Sequence, residues 1–540
     1  MKEITKYFCH SKNFHYLCNL NYNTHSIPMK RRLLLASLAF ILFVAGYAQT
    51  VVHITDPAKW SSADLKAYKG QTVTFDVPFY ICSVRSGMTV SPRRLFSPTN
   101  QAIPMSDEYN SVISSNYNGS VGMSGMSGYH RTGERIENLT VKVTSISSLQ
   151  YVSGKVVDNT REILSKSYPS ISQKGTPTLV VCAFNLQYYL VENLGSGSQG
   201  PSTPEYQTRQ HTKIMEALKH IKADVFGFVE VEQGQEALKK LAKSLSTETR
   251  RHYEWINDGM SANGTYTKSG YVYCAETVMP VGSMRSNETG VRNRKKMQAF
   301  KEIETGEVFI FSLNHFKAKS GTGTGANADQ GDGQGIFNQM RKEEAQSVLN
   351  DYQTSKNFYD DEDILIMGDL NAYAKEDPIM ILVKGGMTDL HRYFHADTSY
   401  SYVYDNLAGY LDHALANETM LSQVTGMTAY HINSDEDRSY GYTSSDNTMF
   451  RCSDHDPVIV GLRLGEKTAA TSEIRIENGQ LIIDHAADGY YRMYNMSGLL
   501  IYEGKITDDS FILPAQISNG LYFINVYTNG EVKQKKVMVM

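Results

Sequence analysis

The sequence predicts an α/β fold in which one large domain is flanked by two smaller β modules. Three observations predict it. Between residues 176 and 465, apolar strand runs alternate with amphipathic helical runs. Before that, residues 50–170 are rich in Thr, Val, Ser and Gly and carry short alternating runs, the mark of half-buried strands. Beyond residue 472, strand runs are punctuated by Asn-Gly at 478–479, 519–520 and 529–530, where both positions tolerate the positive φ of a tight hairpin. With 540 residues, 41% hydrophobic and 20% charged, the chain is long enough for about three to four domains. Its near-average composition excludes collagen-like, coiled-coil and wholly disordered chains. The net charge of −4 excludes coating of nucleic acid by bulk positive charge, but leaves room for a locally basic groove.

The N-terminal residues read as a processing segment. Met29 precedes Lys30-Arg31-Arg32, the apolar run LLLASLAFILFVAG (33–46) and small residues at Gly46 and Ala48. This succession predicts a cleaved secretory signal at 29–48, with 1–28 as a mis-called start and 492 residues left after cleavage. The apolar run is shorter than the roughly 20 residues that span a bilayer, so no stable membrane span is expected. Cleavage removes Cys9 and Cys18 and leaves Cys82, Cys182, Cys274 and Cys452. Four cysteines permit three pairings, and the sequence chooses none. The absence of CxxC leaves a structural zinc site unsupported.

In chain order, QTVTFDVPFYICSV (71–84) and LTVKVTSISSL (139–149) are strands of a small all-β, OB-like domain at 50–170, and GMSGMSGYHRTGER (122–135) is a long loop. The α/β part opens with a buried strand, TLVVCAFNL (178–186). A helix follows at 205–222, with Ile214, Leu218 and Ile221 on one face. Next come a strand at 224–230 and a helix at 233–245. Further strands lie at 270–276, 307–314, 363–368, 411–416 and 456–462, with a helix at 335–352 between two of them. A polar linker at 465–472 leads to a β-sandwich module at 472–540.

Polar residues recur at the ends of these strands. Asn185 closes the first, Glu230 the second, Asn314-His315 a third, and Asp369 with Asn371 a fourth. Asp412-His413 opens LDHALA, and Asp454-His455-Asp456 precedes the last strand. A single such residue is an ordinary cap, but six such positions built only of Asn, Asp, Glu and His exceed what capping needs, because an unpaired carboxylate is costly to bury. Hard oxygen donors favour Mg²⁺, Mn²⁺ or Ca²⁺ over zinc. A histidine beside carboxylates can be held in one tautomer as a proton carrier. Together these suit hydrolysis of a phosphate ester. His413 and Asp456 should point away if their neighbours point in, because strand side chains alternate. The glycine-rich 321–335 lacks the Lys-Ser/Thr of a P-loop and reads as a mobile substrate-side loop. RNRKK (292–296), Lys317, Lys319 and Arg341 are candidate contacts to phosphate.

ADVFGFVEVE (223–232), FSLNHFKAK (311–319), LIMGDLNAYAKEDPI (365–379), LDHAL (411–415) and SDHDPVIVGL (453–462) follow one another in that order. They resemble the successive motifs of the endonuclease/exonuclease/phosphatase superfamily, with its deoxyribonuclease I-like, four-layered α/β sandwich, over roughly 176–465. The GDLNAYAKEDP wording resembles the bacterial secreted-nuclease branch. The resemblance implies that Glu230, with Asn185 and Asp454, holds a metal: Mg²⁺, or Mn²⁺, with Ca²⁺ as a further option. It implies catalytic roles for His315, Asp369, Asn371, Asp412 and His455, with Asp412 orienting His455. Asn314, Lys317 and Arg341 are taken as substrate contacts. The C-terminal YYRMYNMSGLLIYEGKI and the strands after it resemble sorting domains of type IX secretion in Bacteroidetes.

These readings predict a secreted or cell-surface metal-dependent phosphodiesterase, an endonuclease acting on DNA or RNA, monomeric, with the type IX secretion machinery as its partner in export. A phosphatase or a phosphodiesterase of inositol phosphates or phospholipids on the same fold is the first alternative. A surface binding protein with a dead catalytic domain is the second.

Overall fold

The computed structural model describes residues 50–539 except position 86 and the stretches 117–118, 158–160, 167–169, 196–199, 260–266, 287–293, 466–472, 478–479, 485–488, 508–509, 513–516 and 529–530. The expected leader at 29–48, the segment 1–28 and most of the linker lie outside the described residues.

The N-terminal part carries seven strands: β1 (Thr50–Val52), β2 (Thr72–Phe75), β3 (Phe79–Ser83), β4 (Thr89–Ser91), β5 (Val121–Ser124), β6 (Arg135–Ser145) and β7 (Ser148–Val157). Strand β6 pairs with β7 along one edge and with β2 and then β3 along the other. Because β3 also pairs with β4, β4 with β5, and β5 in parallel with β7, five strands close into a ring. Phe75, Phe79, Ile81, Val90, Val141 and Leu149 fill its core. The expectation of an all-β segment needs correcting, since helices Asp107–Asn116 and Arg161–Lys166 also lie here. The presumed loop at 122–135 begins inside β5 and then delivers Arg131 to the large domain.

The large domain consists of two facing six-stranded sheets. In the first, β8 (Leu179–Tyr189), β9 (Val225–Glu232), β10 (Tyr253–Trp255), β11 (Thr267–Cys274), β20 (Val424–Ala429) and β21 (Val458–Leu462) run in the order β10-β11-β9-β8-β21-β20. In the second, β12 (Val278–Arg285), β13 (Lys295–Glu302), β14 (Val308–His315), β15 (Ile364–Asp369), β16 (Thr388–Asp389) and β19 (Asp412–Ala416) run β12-β13-β14-β15-β19-β16. A short hairpin, β17 (Tyr402–Tyr404) and β18 (Leu407–Gly409), stands apart.

The alternation along each strand sets the layers. Val181, Val225, Val229 and Tyr271 of the first sheet meet Phe311, Leu313, Leu365 and Met367 of the second in one buried core. Their even-numbered neighbours, Cys182, Phe184, Phe226 and Phe228, face outward and pack under helices Pro204–Ile221 and Glu236–Thr249. On the far side, Ile310, Ile364 and Ile366 pack under helices Asn338–Tyr359 and Asp377–Lys384. Burial on both faces explains why these strands read as continuous apolar runs. Gly227 lets the sheets approach, because a Cβ there would sit 2.7 Å from Leu313 and Phe311. The helix at 204–221 starts where Thr203 caps the Tyr206 amide and Pro204 fixes the first turn.

The C-terminal part forms a three-stranded sheet, β22 (Glu473–Glu477), β23 (Gln480–Asp484) and β26 (Ser510–Ile512), and a four-stranded one, β24 (Tyr490–Asn495), β25 (Leu500–Lys505), β27 (Gly520–Thr528) and β28 (Glu531–Val539). Both contribute to one core, with Ile474, Leu481, Met493 and Ile524. Among the described residues, no helix is long and apolar enough to cross a membrane. Cys82, Cys182, Cys274 and Cys452 are all buried free thiols.

A buried charge cluster ties the N-terminal ring to the large domain. Glu436 accepts from Arg131 Nε at 2.6 Å, from Tyr129 Oη at 2.5 Å and from Arg161 Nη2 at 2.6 Å. Neither Arg131 nor Glu436 retains side-chain exposure. Removing one member of a buried pair strands the other charge, at a cost of about 3–5 kcal/mol. Glu436→Gln is therefore expected to lower unfolding stability by about that amount, read by denaturant titration; a loss under about 1 kcal/mol would be that of a surface pair.

Candidate active site

The register of the second sheet lines up three of the expected residues. His315 of β14 pairs with Asp369 of β15, and Asp369 pairs with Asp412 of β19. All three lie two positions from inward-facing residues, namely Leu313, Met367 and Ala414, so they point toward the first sheet. In that sheet Asn185 of β8 follows Val181 and Ala183 on the inward face. Glu230 would point outward on simple alternation. A bulge corrects this: Val231 pairs with Lys268 and Phe228 with Gly270, so β9 holds one residue more than β11 between those pairs. Glu230 takes a positive φ of 59° at that step. Val229 and Glu230 then both face the site, and Val231 crosses to the helix side. Gly368, immediately before Asp369, has φ of +127°, and a Cβ there would lie 2.0 Å from the Asn314 carbonyl oxygen. Only glycine fits that step of the GDLN motif.

Asp369 occupies the centre. Its Oδ2 accepts from Asn185 Nδ2 at 3.1 Å, and its Oδ1 from the Asn371 amide at 3.0 Å. Asn371, at φ of +48°, donates its side-chain amide to the Phe316 carbonyl at 3.2 Å. The two imidazoles approach the same carboxylate: His315 Nε2 is 3.6 Å from Asp369 Oδ2, and His455 Nε2 is 3.9 Å from it. His315 Nε2 is also 3.7 Å from Glu230 Oε1.

His455 is fixed on two sides. Asp412 Oδ2 lies 2.7 Å from its Nδ1 and also accepts from Ser401 Oγ at 2.7 Å. A carboxylate only accepts, so Nδ1 carries a proton and Nε2 is the atom that faces the site. The Tyr402 ring stacks on the imidazole at 4.7 Å. Burial works against the charged form, but Asp412 and Asp369 outweigh it and hold His455 well above the usual imidazole range. Burial likewise raises Asp369 above the usual carboxylate range. His413 shows the contrast: burial takes it down to about 4, and it faces Ala372 O on the helix side. Asp456 also turns away, accepting from His431, the Asn433 amide and Ser434.

Asn185, Glu230, His315, Asp369, Asn371, Asp412, Asp454 and His455 thus share the ends of the two sheets. The three expected substrate contacts do not join them. Asn314 falls on the opposite face from His315 and donates to Ser312. Arg341 is fully buried and is spent on the carbonyls of Lys317, Ile336 and Gln334. Lys317 bonds the carbonyls of Ala318 and Ser320, so both cations brace the 317–336 loop. In the basic run, Arg292 and Asn293 lie outside the described residues, while Lys296 is buried against Asp258. Tyr402, Ser401 and Arg85 escaped the sequence reading, because hairpin and barrel positions carry no motif that ties them to a distant histidine.

The donor set fits a divalent cation. Asp369, Asp412 and His455 offer ligand atoms within 4.8 Å of one another, yet Asp412 Oδ2 is already taken by His455 and Ser401. Glu230 and Asp454 retain 17% and 14% side-chain exposure. Burial and then the Asp454 charge push Glu230 up to about 7. Two mutually repelling carboxylates are what a hard cation neutralises. Because the proton must leave Glu230 before a cation binds, affinity falls as pH falls. From a carboxyl at about 7 rather than 4.5, apparent Mg²⁺ affinity is expected to rise about tenfold per pH unit from roughly pH 5 to 7 and to level above. Calorimetric titration across that range checks this; a flat profile would exclude Glu230 as a ligand.

An imidazole locked by one buried carboxylate and aimed at a second is built to pass a proton to or from an oxygen. Beside a cluster that accepts a divalent cation, that equipment defines a metal-assisted phosphoester hydrolase. Sequence comparison agrees: the profile of the Endonuclease/Exonuclease/phosphatase family matches residues 182–455, half of the chain, and the protein belongs to this family. Its members hydrolyse phosphoester bonds as nucleases, phosphatases and phosphodiesterases and depend on divalent metals. Comparison with curated proteins returns no match. Among solved structures, a family member from Bacteroides vulgatus is 12% identical, covering 53% of this chain and 98% of its own at a TM-score of 0.37. A Bacteroides thetaiotaomicron mannosyl-6-phosphatase is 15% identical, with 53% and 100% coverage and a TM-score of 0.36. D. rerio TDP2 complexed with a single-strand DNA product is 14% identical, with 53% and 98% coverage and a TM-score of 0.35.

Proposed function

We propose that the protein is a secreted, divalent-metal-dependent phosphodiesterase that cuts extracellular nucleic acid internally, with DNA as its principal substrate. The observation that carries this reading is the pair of imidazoles flanking Asp369, one of them locked by Asp412. Internal cleavage of a phosphodiester needs a proton taken from the attacking water and another delivered to the leaving oxygen. His455 Nε2, with Asp412 behind it, serves one transfer, and His315 serves the other. Asp369 and Asn371 orient the groups around the scissile phosphate. Mg²⁺, held by Glu230 with Asn185 and Asp454, would supply neutralisation of the developing oxyanion charge.

The N-terminal ring supports nucleic acid over a small phosphate ester. Its strand order β3-β4-β5-β7-β6, closed by β6 on β3, supports the OB-like reading of this part, and an OB-like barrel is a scaffold suited to single strands. Export is supported by the basic, apolar and small-residue succession at 29–48, and type IX sorting by the strand runs after 490. Plasmid DNA, RNA, inositol phosphates and sphingomyelin, each with Mg²⁺, Mn²⁺, Ca²⁺ or EDTA, form the test. Nicking of closed-circular DNA that EDTA abolishes is the expected result. Intact DNA alongside hydrolysis of a lipid or inositol phosphate would overturn the nuclease reading, and no hydrolysis of any ester would favour a binding protein.

A further inference from the structure

We propose that Arg85, carried by the N-terminal barrel and lying outside the family-matched region, is a substrate-positioning residue that binds a phosphate oxygen at the catalytic site; this rests on the phosphoester reading above. Arg85 follows β3 and reaches across to the β17–β18 hairpin. Its Nη1 donates to Tyr402 Oη at 3.2 Å and to the Val403 carbonyl at 3.1 Å. Its guanidinium lies 5.3 Å from the centre of the Tyr402 ring, whose stacking partner is His455. One terminus is therefore anchored, within one ring of the proton-carrying imidazole.

Among the described residues, the other edge of the fork makes no hydrogen bond. Nη2 stands 3.9 Å from Asp454 Oδ2, longer than a hydrogen bond. Nε is buried without a hydrogen-bond partner among the described residues. An unmet buried donor is costly, and an anionic ligand that accepts from it would recover that cost. A guanidinium edge also matches two oxygens of a phosphate. Glu230, Asp369, Asp412 and Asp454 make the pocket strongly acidic, and a phosphate ester entering it needs a fixed cation besides any metal. Arg451 is buried nearby with its Nη1 on Asn433 O at 3.1 Å, while Arg85 comes from outside the family-matched region and stacks over the ring that covers His455.

The barrel grips the same hairpin elsewhere. Thr89 Oγ1 bonds Asn406 Oδ1 at 2.9 Å, and the Ala408 amide bonds Leu95 O at 2.8 Å. This allows the phosphate role to be separated from simple docking. Binding of inorganic phosphate to the full chain in Mg²⁺ is measured by calorimetry, alongside kcat and KM on bis(p-nitrophenyl) phosphate. Arg85→Ala is expected to weaken phosphate binding about 10–100-fold, the value of a charge-assisted contact, and to raise KM more than it lowers kcat. Arg85→Lys, which keeps the charge but loses the fork, is expected to fall between the two and covers the case in which the alanine variant misfolds. Thr89→Ala, which loosens the hairpin without touching the site, is expected to leave phosphate binding unchanged. Unchanged phosphate affinity in both Arg85 variants, or an equal loss in Thr89→Ala, would overturn the proposal. A wild-type chain that binds phosphate through Arg85 but hydrolyses no ester would instead remove the phosphodiesterase reading.

Discussion

Replacing His455 with alanine is expected to lower kcat by about 10²–10⁴-fold, the range for a positioned acid–base group. The expectation follows from how completely this imidazole is held. Asp412 fixes one nitrogen at 2.7 Å, Tyr402 covers one face, and the remaining nitrogen points at Asp369. His315, which approaches the same carboxylate, serves the other transfer, and His413 is turned to the other side of the sheet and kept neutral by burial. Asp412→Asn serves as the companion: it retains the shape but offers the imidazole an amide in place of a carboxylate, so the charged form loses its principal support. Steady-state kinetics with the wild-type metal optimum decide the matter. A loss under tenfold for His455→Ala would remove it from the proton-transfer step.

Glu230→Gln is expected to move stability and function in opposite directions. Groups that merely support a ligand cost about 10–100-fold in metal affinity when removed, so loss of a direct carboxylate ligand should cost Mg²⁺ affinity at least about 10²-fold. Activity at limiting metal should fall with it. The metal-free protein should meanwhile melt at a higher temperature at neutral pH. Folding raises the Glu230 carboxyl from 4.5 to about 7, so its ionisation opposes folding at every pH above the lower value. That penalty grows from pH 4.5 to 7 and is constant beyond, and glutamine abolishes it. Metal titration and thermal unfolding in EDTA test both halves. Lower affinity with no gain in metal-free melting temperature would mean that Glu230 is not held against Asp454 as described.

Much of this site was legible in the primary structure because of where its residues fall. Asn185, His315, Asp369 and Asp412 each end or begin an apolar run, and a period of two carries the inward face directly to them. The same rule predicts the outward turn of His413 and Asp456. Applied to Asn314, it gives the correct answer that a list of polar residues missed: a neighbour of His315 on the same strand must face the other way. Arg341 and Lys317 misled for a related reason. A cation near a motif in sequence resembles a substrate contact, whereas in the fold both satisfy carbonyls of the glycine-rich loop.

The sequence by itself determined the apolar runs that make two doubly covered sheets, the glycine that Asp369 needs before it, and the set of hard oxygen and imidazole groups that defines the chemistry. Local periodicity and residue type suffice for these, because each depends on neighbours a few positions away. Only the tertiary structure decided which way Glu230 points, since a single bulged residue in β9 reverses its face and no local pattern announces it. Only the tertiary structure, too, brought Ser401 under Asp412, Tyr402 over His455 and Arg85 from a separate barrel to the rim of the site. Those contacts include a hydrogen bond between residues 318 positions apart. Their existence depends on how the barrel packs against the sheets, which is a property of assembled surfaces and not of any stretch of chain.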